Sequence, residues 1–389
     1  MNYHLMIDDK FINDFIIDGE MTSPGNNVYI IDKPLEIVQH VKSDKAIFAP
    51  YDTALFSDTI KDIKEGDKVF IHWASDAAIN FVLGLPKSIK IGLFFWGGDI
   101  VEIPYSMYKD TIYGPQSLRY FSKYEERQKV KWNPLKPKRL FRTLGNRYWN
   151  YKVNEQRIFE IRQKFFARLN YFVHWNVIDF QWVLDRYETQ AEFVYFFYNF
   201  NPVPAVDPNA PVKIKNHISI MLGNSDTTPN NHFEILDILK KFKNENIKLV
   251  IPLNYGNKKY GDVIEKRAIA IFGEDKVVAL RKFMNRESYY EVLDDVDVAV
   301  MNHYRIQAVG NVLALIYREK KVFMHEKSST YKLLIENGVV LGNSVDIANI
   351  SFSEFKAPLS AKIKAENIVN TNKLFNLTEK KVSLTKLLS

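Results

Sequence analysis

The sequence has no cysteine and no long apolar run. Zero Cys excludes a disulfide framework, thiolate zinc sites and cysteine nucleophiles, and fits a reducing compartment. Stretches such as Ile91 to Trp96 and Val312 to Tyr317 have the length of core elements, well short of the roughly 20 residues that cross a bilayer. The opening residues, Met1-Asn-Tyr-His-Leu-Met-Ile-Asp-Asp-Lys10, carry charge where a signal peptide needs an apolar stretch. Together these features predict a cytoplasmic protein that lies on a membrane, if it meets one, without crossing it. What is present is ordinary for a globular chain: 389 residues, 46% hydrophobic and 25% charged, with 27 Phe and 21 Tyr to fill a large core. That length suits two domains.

Charge is unevenly spread. Between Leu118 and Arg168 there are 15 basic and four acidic residues, a net +11, so the rest of the chain carries −4 of the overall +7. Aromatics such as Tyr120, Trp132, Tyr148 and Trp149 interleave with the bases. Three readings fit. The segment is a solvated face, or it rests on anionic lipid headgroups through Arg119, Lys123, Lys131, Lys136, Lys138, Arg139, Arg142 and Arg147, or it binds nucleic acid. No nucleic-acid module surrounds it, so a nucleic-acid partner is not expected.

Patterning predicts an α/β chain. Strand-like runs at Tyr3–Ile7, Val28–Ile31, Lys68–His72 and Lys90–Phe95 alternate with helical stretches in the first half. In the second half strands and helices alternate strictly from His217 to Asn337, which predicts a parallel doubly wound sheet. Four prolines in Asn201–Pro211 mark a joint. The expected division is an N-terminal α/β domain over 1–205 that binds the acceptor and carries the basic insertion at about 113–168, a nucleotide-binding domain over 206–350, and a helical tail over 351–389 that packs back on the first.

Ligands of such sheets bind beyond the carboxyl ends of the strands. Three loops of the second half stand there. In the first, Gly223 ends a strand and lets backbone approach a ligand, Asn224 and Ser225 follow, and Asn230 or Asn231 caps the next helix, whose N-terminus favours a diphosphate. In the second, Asn254 and Tyr255 could read and stack on a base or sugar. In the third, Arg305 can neutralise phosphate, His303 and Gln307 can bond a sugar, and Gly310 and Asn311 open a helix. Each loop also has a plain reading as a capped turn. In the first half, Asp99 of Trp96-Gly-Gly-Asp99 and His72 at a strand end are the candidate bases. Asp8, Asp9 and Asp76 occupy similar positions, where helix capping is the competing role. Asp295-Val-Asp297 spells a metal–nucleotide signature but precedes its strand, so it reads as a helix terminus. No metal and no other cofactor are expected. The absence of a P-loop and of a Gly-x-Ser-x-Gly elbow argues against those NTPase and esterase classes.

The ordered set His72, Trp96-Gly-Gly-Asp99 with Glu102, Gly223-Asn-Ser225 with Asn231-His232, Pro252 with Tyr255, and Arg305-Ile-Gln307 with Gly310 resembles the TDP-N-acetylfucosamine:lipid II N-acetylfucosaminyltransferases, the 4-alpha-L-fucosyltransferases. The match runs from about residue 68 to 340. The family has Arg-Gln-Gln where Arg305-Ile306-Gln307 stands here. The resemblance implies a GT-B fold, with two Rossmann-like domains facing each other across a cleft. It implies metal-independent transfer of a sugar such as 4-acetamido-fucose from a nucleotide diphosphate to a lipid-linked or glycan acceptor in bacterial cell-envelope polysaccharide synthesis. A nucleotide-sugar epimerase or hydrolase of like fold is the alternative enzyme. A non-enzymatic protein that binds acidic polymers is the alternative from another class.

Overall fold

A computed structural model describes residues 1–98, 112–121, 157–199 and 215–389. The Asn201–Pro211 joint, Asp99, Glu102 and the basic segment from 122 to 156 lie outside them. The described residues form two compact units. One holds 1–98, 157–199 and 375–389; the other holds 112–121 and 215–374.

The first unit is a seven-stranded parallel sheet in the order β3-β2-β1-β4-β5-β6-β7. Its strands are β1 Asn2–Met6, β2 Asn27–Ile31, β3 Ala46–Phe48, β4 Lys68–Ile71, β5 Lys90–Phe94, β6 Tyr171–His174 and β7 Glu192–Tyr195. The helices are α1 Ile12–Thr22, α2 Ala54–Ile60, α3 Asp76–Gly84, α4 Pro115–Tyr120 (in the second unit), α5 over 157–168 and α6 Val177–Leu184. From β1 the chain winds outward to β3 and then returns to β4 on the other side of β1. The order of winding therefore reverses between the parallel strands β1 and β4, and such a switch point opens a crevice at the carboxyl ends of those strands. Side chains of one sheet face, Phe70, Phe94 and Val173, pack with Phe15 and Tyr29 and with Leu384, Leu387 and Leu388 of the C-terminal helix.

The second unit is a six-stranded parallel sheet in the order β10-β9-β8-β11-β12-β13. Its strands are β8 Ile218–Leu222, β9 Ile247–Pro252, β10 Val277–Leu280, β11 Val298–Met301, β12 Lys321–Met324 and β13 Gly342–Asn343. The helices are α7 His232–Leu239, α8 Lys258–Phe272, α9 Arg286–Asp295, α10 Val309–Tyr317, α11 Ser329–Glu336, α12 Phe352–Lys356 and α13 Ala361–Leu374; α14, Leu377–Leu388, belongs to the first unit. Alternation along the strands fills both faces. Ile220, Leu222, Val298 and Val300 join one core and Met221, Ala299 and Met301 the other, as a sheet covered on both sides requires. Asp297 accepts from Ser219 N and Lys215 Nζ, both at 2.8 Å. The Asp-x-Asp pair thus closes a helix onto a strand.

Residues 112–121, where the basic segment begins, pack within the second unit. Glu234 of α7 accepts from Gln116 N at 2.8 Å, Ser117 N at 2.9 Å and Ser117 Oγ at 2.6 Å. A carboxylate from one helix thereby satisfies the free amides that open another. Arg119 is exposed on α4. Lys123, Lys131, Lys136, Lys138, Arg139, Arg142 and Arg147 are outside the described residues. Among the described residues no helix is long and apolar enough to cross a membrane.

Candidate functional site

In the second unit, the loops after β8, β9 and β11 are joined by side-chain amides and one imidazole. Asn230 is the hub. Its Nδ2 donates to Ser225 Oγ at 3.0 Å and to Thr227 O at 3.0 Å, which fixes Oδ1 as the acceptor for Asn224 N at 2.9 Å. His303 Nε2 lies 2.9 Å from that oxygen and 3.1 Å from Asn224 Oδ1. Both partners are acceptors, so Nε2 carries the proton and Nδ1 is left with a lone pair. Asn224 Oδ1 also accepts from Gln307 Nε2 at 3.1 Å, and Asn224 Nδ2 donates to Tyr255 Oη at 2.5 Å.

Gly223 has φ +63°, and a Cβ there would fall 2.5 Å from Asn230 Oδ1 and 2.7 Å from His232 Nε2. Sequence reasoning gave this glycine to a ligand. In the structure it is these two side chains that close on it. Asn231 stands at the start of α7 with φ +53° and makes no capping bond, contrary to expectation. Instead its amide donates to Ile112 O at 3.1 Å and Asn302 O at 3.1 Å and accepts from Gly114 N at 2.8 Å.

Several buried polar atoms of these loops take no partner among the described residues: His303 Nδ1, Gln307 Oε1, Asn254 Oδ1 and both oxygens of Asp226. All are acceptors once the tautomer of His303 is fixed. Burial, and then the charges of Arg305 and His232, push the pKa of His303 down to about 3, so it stays neutral. Burial likewise raises the Asp226 carboxyl, against the pull of Arg281 and Lys258. Leaving such groups dry and unpaired costs about 1–3 kcal/mol each, and a buried set of this kind drawn from three strand-end loops suits a ligand rich in O–H and N–H donors. Arg305, from the same β11 loop, donates from Nη1 to Ile306 O at 2.8 Å. Ile306 itself is 6% exposed; a buried position there suits isoleucine better than a second glutamine. Gly310 and Asn311 lie in the first turn of α10.

One loop escaped the sequence reading. After β12, Ser328 Oγ donates to Arg305 O at 3.4 Å, and Ser329 Oγ and Thr330 Oγ1, in the first turn of α11, are buried with no partner among the described residues. Ser-Ser-Thr between a strand and a helix was the available signal.

A family model described as 4-alpha-L-fucosyltransferase, glycosyl transferase group 56, matches residues 149–367, more than half of the chain. The chain belongs to this family. The group 56 chain also resembles solved GT-B structures in fold. Sucrose-phosphate synthase from Thermosynechococcus elongatus superposes with a TM-score of 0.63 at 9% identity, covering 100% of this chain and 98% of the other. A glycosyltransferase from Rickettsia africae gives 0.59 at 11% identity, with 100% and 97% covered. Anabaena HepE in complex with UDP gives 0.59 at 10% identity, with 100% and 99% covered. The two parallel sheets, each flanked by helices, therefore have the GT-B fold. Among its described residues no three His, Asp or Glu side chains are placed to hold a metal ion.

In the first unit of this group 56 protein, His72 is 0% exposed. Its Nε2 lies 3.1 Å from His4 Nδ1 and its Nδ1 2.5 Å from Tyr198 Oη. His4 Nε2 in turn meets Asn27 Oδ1 at 3.4 Å, while Asn27 Nδ2 donates to Ser23 O at 2.7 Å. The fixed amide makes His4 Nε2 the protonated nitrogen, so His72 Nε2 donates to His4 and Tyr198 Oη donates to His72. Tyr198 Oη also accepts from Trp96 Nε1 at 3.1 Å. Both ring nitrogens of His72 are thus committed inside the unit, and the histidine proposed as a base acts as a strut beneath Trp96. Asp76 is exposed in the first turn of α3, where Ser75 makes the capping bond.

Proposed function

We propose that the second unit holds a nucleotide-diphosphate sugar and that the enzyme transfers its sugar to a lipid-linked or glycan acceptor in cell-envelope polysaccharide synthesis. The observation that carries this reading is the set of buried acceptors on three strand-end loops, at His303, Gln307, Asn254 and Asp226, that take no partner among the described residues. Sugar and ribose hydroxyls, an acetamido N–H and a base imide N–H are the donors such a set would take. Arg305 and the helix N-termini of α10 and α11 supply positive potential for the diphosphate. As the glycosidic C–O bond breaks, charge grows on the departing diphosphate, and these groups stabilise it without reorganising. Asn224, Ser225, Asn231, Tyr255, Gly223, Gly310 and Asn311 keep the loops in register for that binding. The UDP-bound state of the HepE structure and the family's own description as fucosyltransferases support a nucleotide donor and a fucose-like deoxy sugar, for which we propose 4-acetamido-fucose. An anionic membrane surface would present the acceptor to the basic segment.

The test has two stages. Thermal stabilisation by TDP, UDP or GDP is expected for one of the three, and no shift with any would count against the reading. A panel of nucleotide sugars incubated with a membrane extract should then give a glycosylated lipid. Release of free sugar alone would point to a hydrolase.

A further inference from the structure

Asp8 and Asp9 leave the central strand β1 together, and the fold uses them differently. Asp8 is spent on structure. Its carboxylate accepts from Lys33 Nζ at 2.7 Å and from the amides of Gln39, His40 and Val41 at 2.8, 2.9 and 2.9 Å. Among the described residues the Asp9 carboxylate accepts from Phe11 N alone, at 3.1 Å to Oδ1. Its Oδ2 takes no donor among the described residues, and the side chain is half-buried. It stands at the β1/β4 reversal, where a sheet of this topology holds its ligand.

Aromatic rings stand at the ends of the neighbouring strands. Phe11 follows β1, Trp73 follows β4 and Trp96 follows β5, all half-exposed. Phe11 and Trp73 meet Trp96 at centroid distances of 6.0 and 6.1 Å and at 68° and 87°. Trp96 is pinned through its indole N–H by the Tyr198–His72–His4–Asn27 chain. A polar chain of that length inside an aromatic core has to be satisfied at every link, and it holds one indole in one orientation at the crevice. Rings fixed beside a carboxylate with an open oxygen are suited to the apolar face and the hydroxyl of a pyranose.

We propose that Asp9 is the base that deprotonates the acceptor, and that Phe11, Trp73 and Trp96 seat the acceptor's sugar ring beside it. The assignment rests on the transferase reading above. The acceptor oxygen bonds to the anomeric carbon of the donor, its proton passes to Asp9 Oδ2, the bond from that carbon to the diphosphate breaks, and the nucleoside diphosphate leaves with the electron pair. The product has inverted anomeric configuration, and Asp9 returns its proton to water. Burial raises the Asp9 carboxyl above its ordinary range, offset by Phe11 N, Lys10 and His40 and reinforced by Asp8. A base must be ionised to act, so turnover should fall on the acid side along that raised titration.

The experiment uses the full chain with the nucleotide sugar and membrane extract that give wild-type transfer. Asp9→Asn should lower turnover by about 100- to 10,000-fold, with the melting shift produced by TDP, UDP or GDP unchanged. Its residual rate should lose the acid limb, a change that a merely structural aspartate would not produce. Trp96→Ala should raise the acceptor KM at least tenfold with a smaller change in kcat. Wild-type turnover in Asp9→Asn, retained configuration in the product, or loss of the acid limb in Asp99→Asn instead would overturn the assignment while leaving the transferase intact. Absence of transfer by a folded wild-type chain would overturn both.

Discussion

His303 Nε2 stands 3.1 Å from Asn224 Oδ1, and that bond ties the loop after β11 to the loop after β8 while leaving the other imidazole nitrogen open. Replacing Asn224 by Ala removes the oxygen shared by His303 and Gln307 and the amide bonded to Tyr255. Each lost bond is worth about 1 kcal/mol, and three loops lose register together. Nucleotide affinity should fall at least tenfold by calorimetry with whichever of TDP, UDP and GDP stabilises the wild type. Undiminished affinity would place the nucleotide elsewhere.

Arg305 acts by charge. Arg305→Ala should reduce turnover by well over tenfold, from loss of about 1.5–3 kcal/mol of charge-assisted bonding to the departing diphosphate. Arg305→Lys keeps the charge but not the planar fork, so it should recover only part of the rate. Steady-state kinetics on both variants decide this, and wild-type turnover in Arg305→Ala removes the role.

Most elements of the second unit were legible in the sequence because the inner strands β8, β11 and β12 are apolar runs and helices such as α7 and α8 carry an apolar stripe; the two-residue edge strand β13 was missed. In the first unit β3 and β7 were missed. They are strands of three and four residues at the two edges of the sheet, too short to show alternation. At the site, strand-end position pointed to Asn224, His303 and Gln307. It misled at His72, because nothing in a single strand shows that His4 and Tyr198 will close on the ring. It also offered Asn230 or Asn231 as the cap of α7, whereas a left-handed backbone at Asn231 turns that side chain to Ile112 and Asn302. Which carboxylate of Asp8-Asp9 is spent and which is open depends on residues 33–41, brought there by the fold alone.

Asp8 should matter for stability. Its side chain is 2% exposed, and Asp8→Ala would leave three backbone amides and Lys33 without their acceptor. The expected cost is about 3 kcal/mol in urea unfolding. Those four donors hold its carboxyl well below the ordinary range despite burial. The stabilisation is therefore present above the unfolded-state value, near 3.9, and is lost as pH falls below it. A variant as stable as wild type at pH 7 would contradict the role.

The His4–His72 pair predicts a separate loss of stability at milder acidity. Burial lowers His4 to about 3, and it lowers His72 well below its ordinary value, with His4 adding to the effect. In the unfolded chain both titrate near 6.5. Below that pH the unfolded state binds protons that the folded state refuses, so stability is complete above 6.5 and declines as pH falls toward 3. For His4 alone the decline reaches about 2 kcal/mol at pH 5. The urea midpoint, followed by tryptophan fluorescence between pH 7.5 and 5, should fall steeply in the wild type. His4→Gln and His72→Gln remove one titrating group each and should flatten the dependence stepwise, even though each is less stable at pH 7.5. Equal pH slopes in the wild type and in the double variant would show that the pair does not control acid stability.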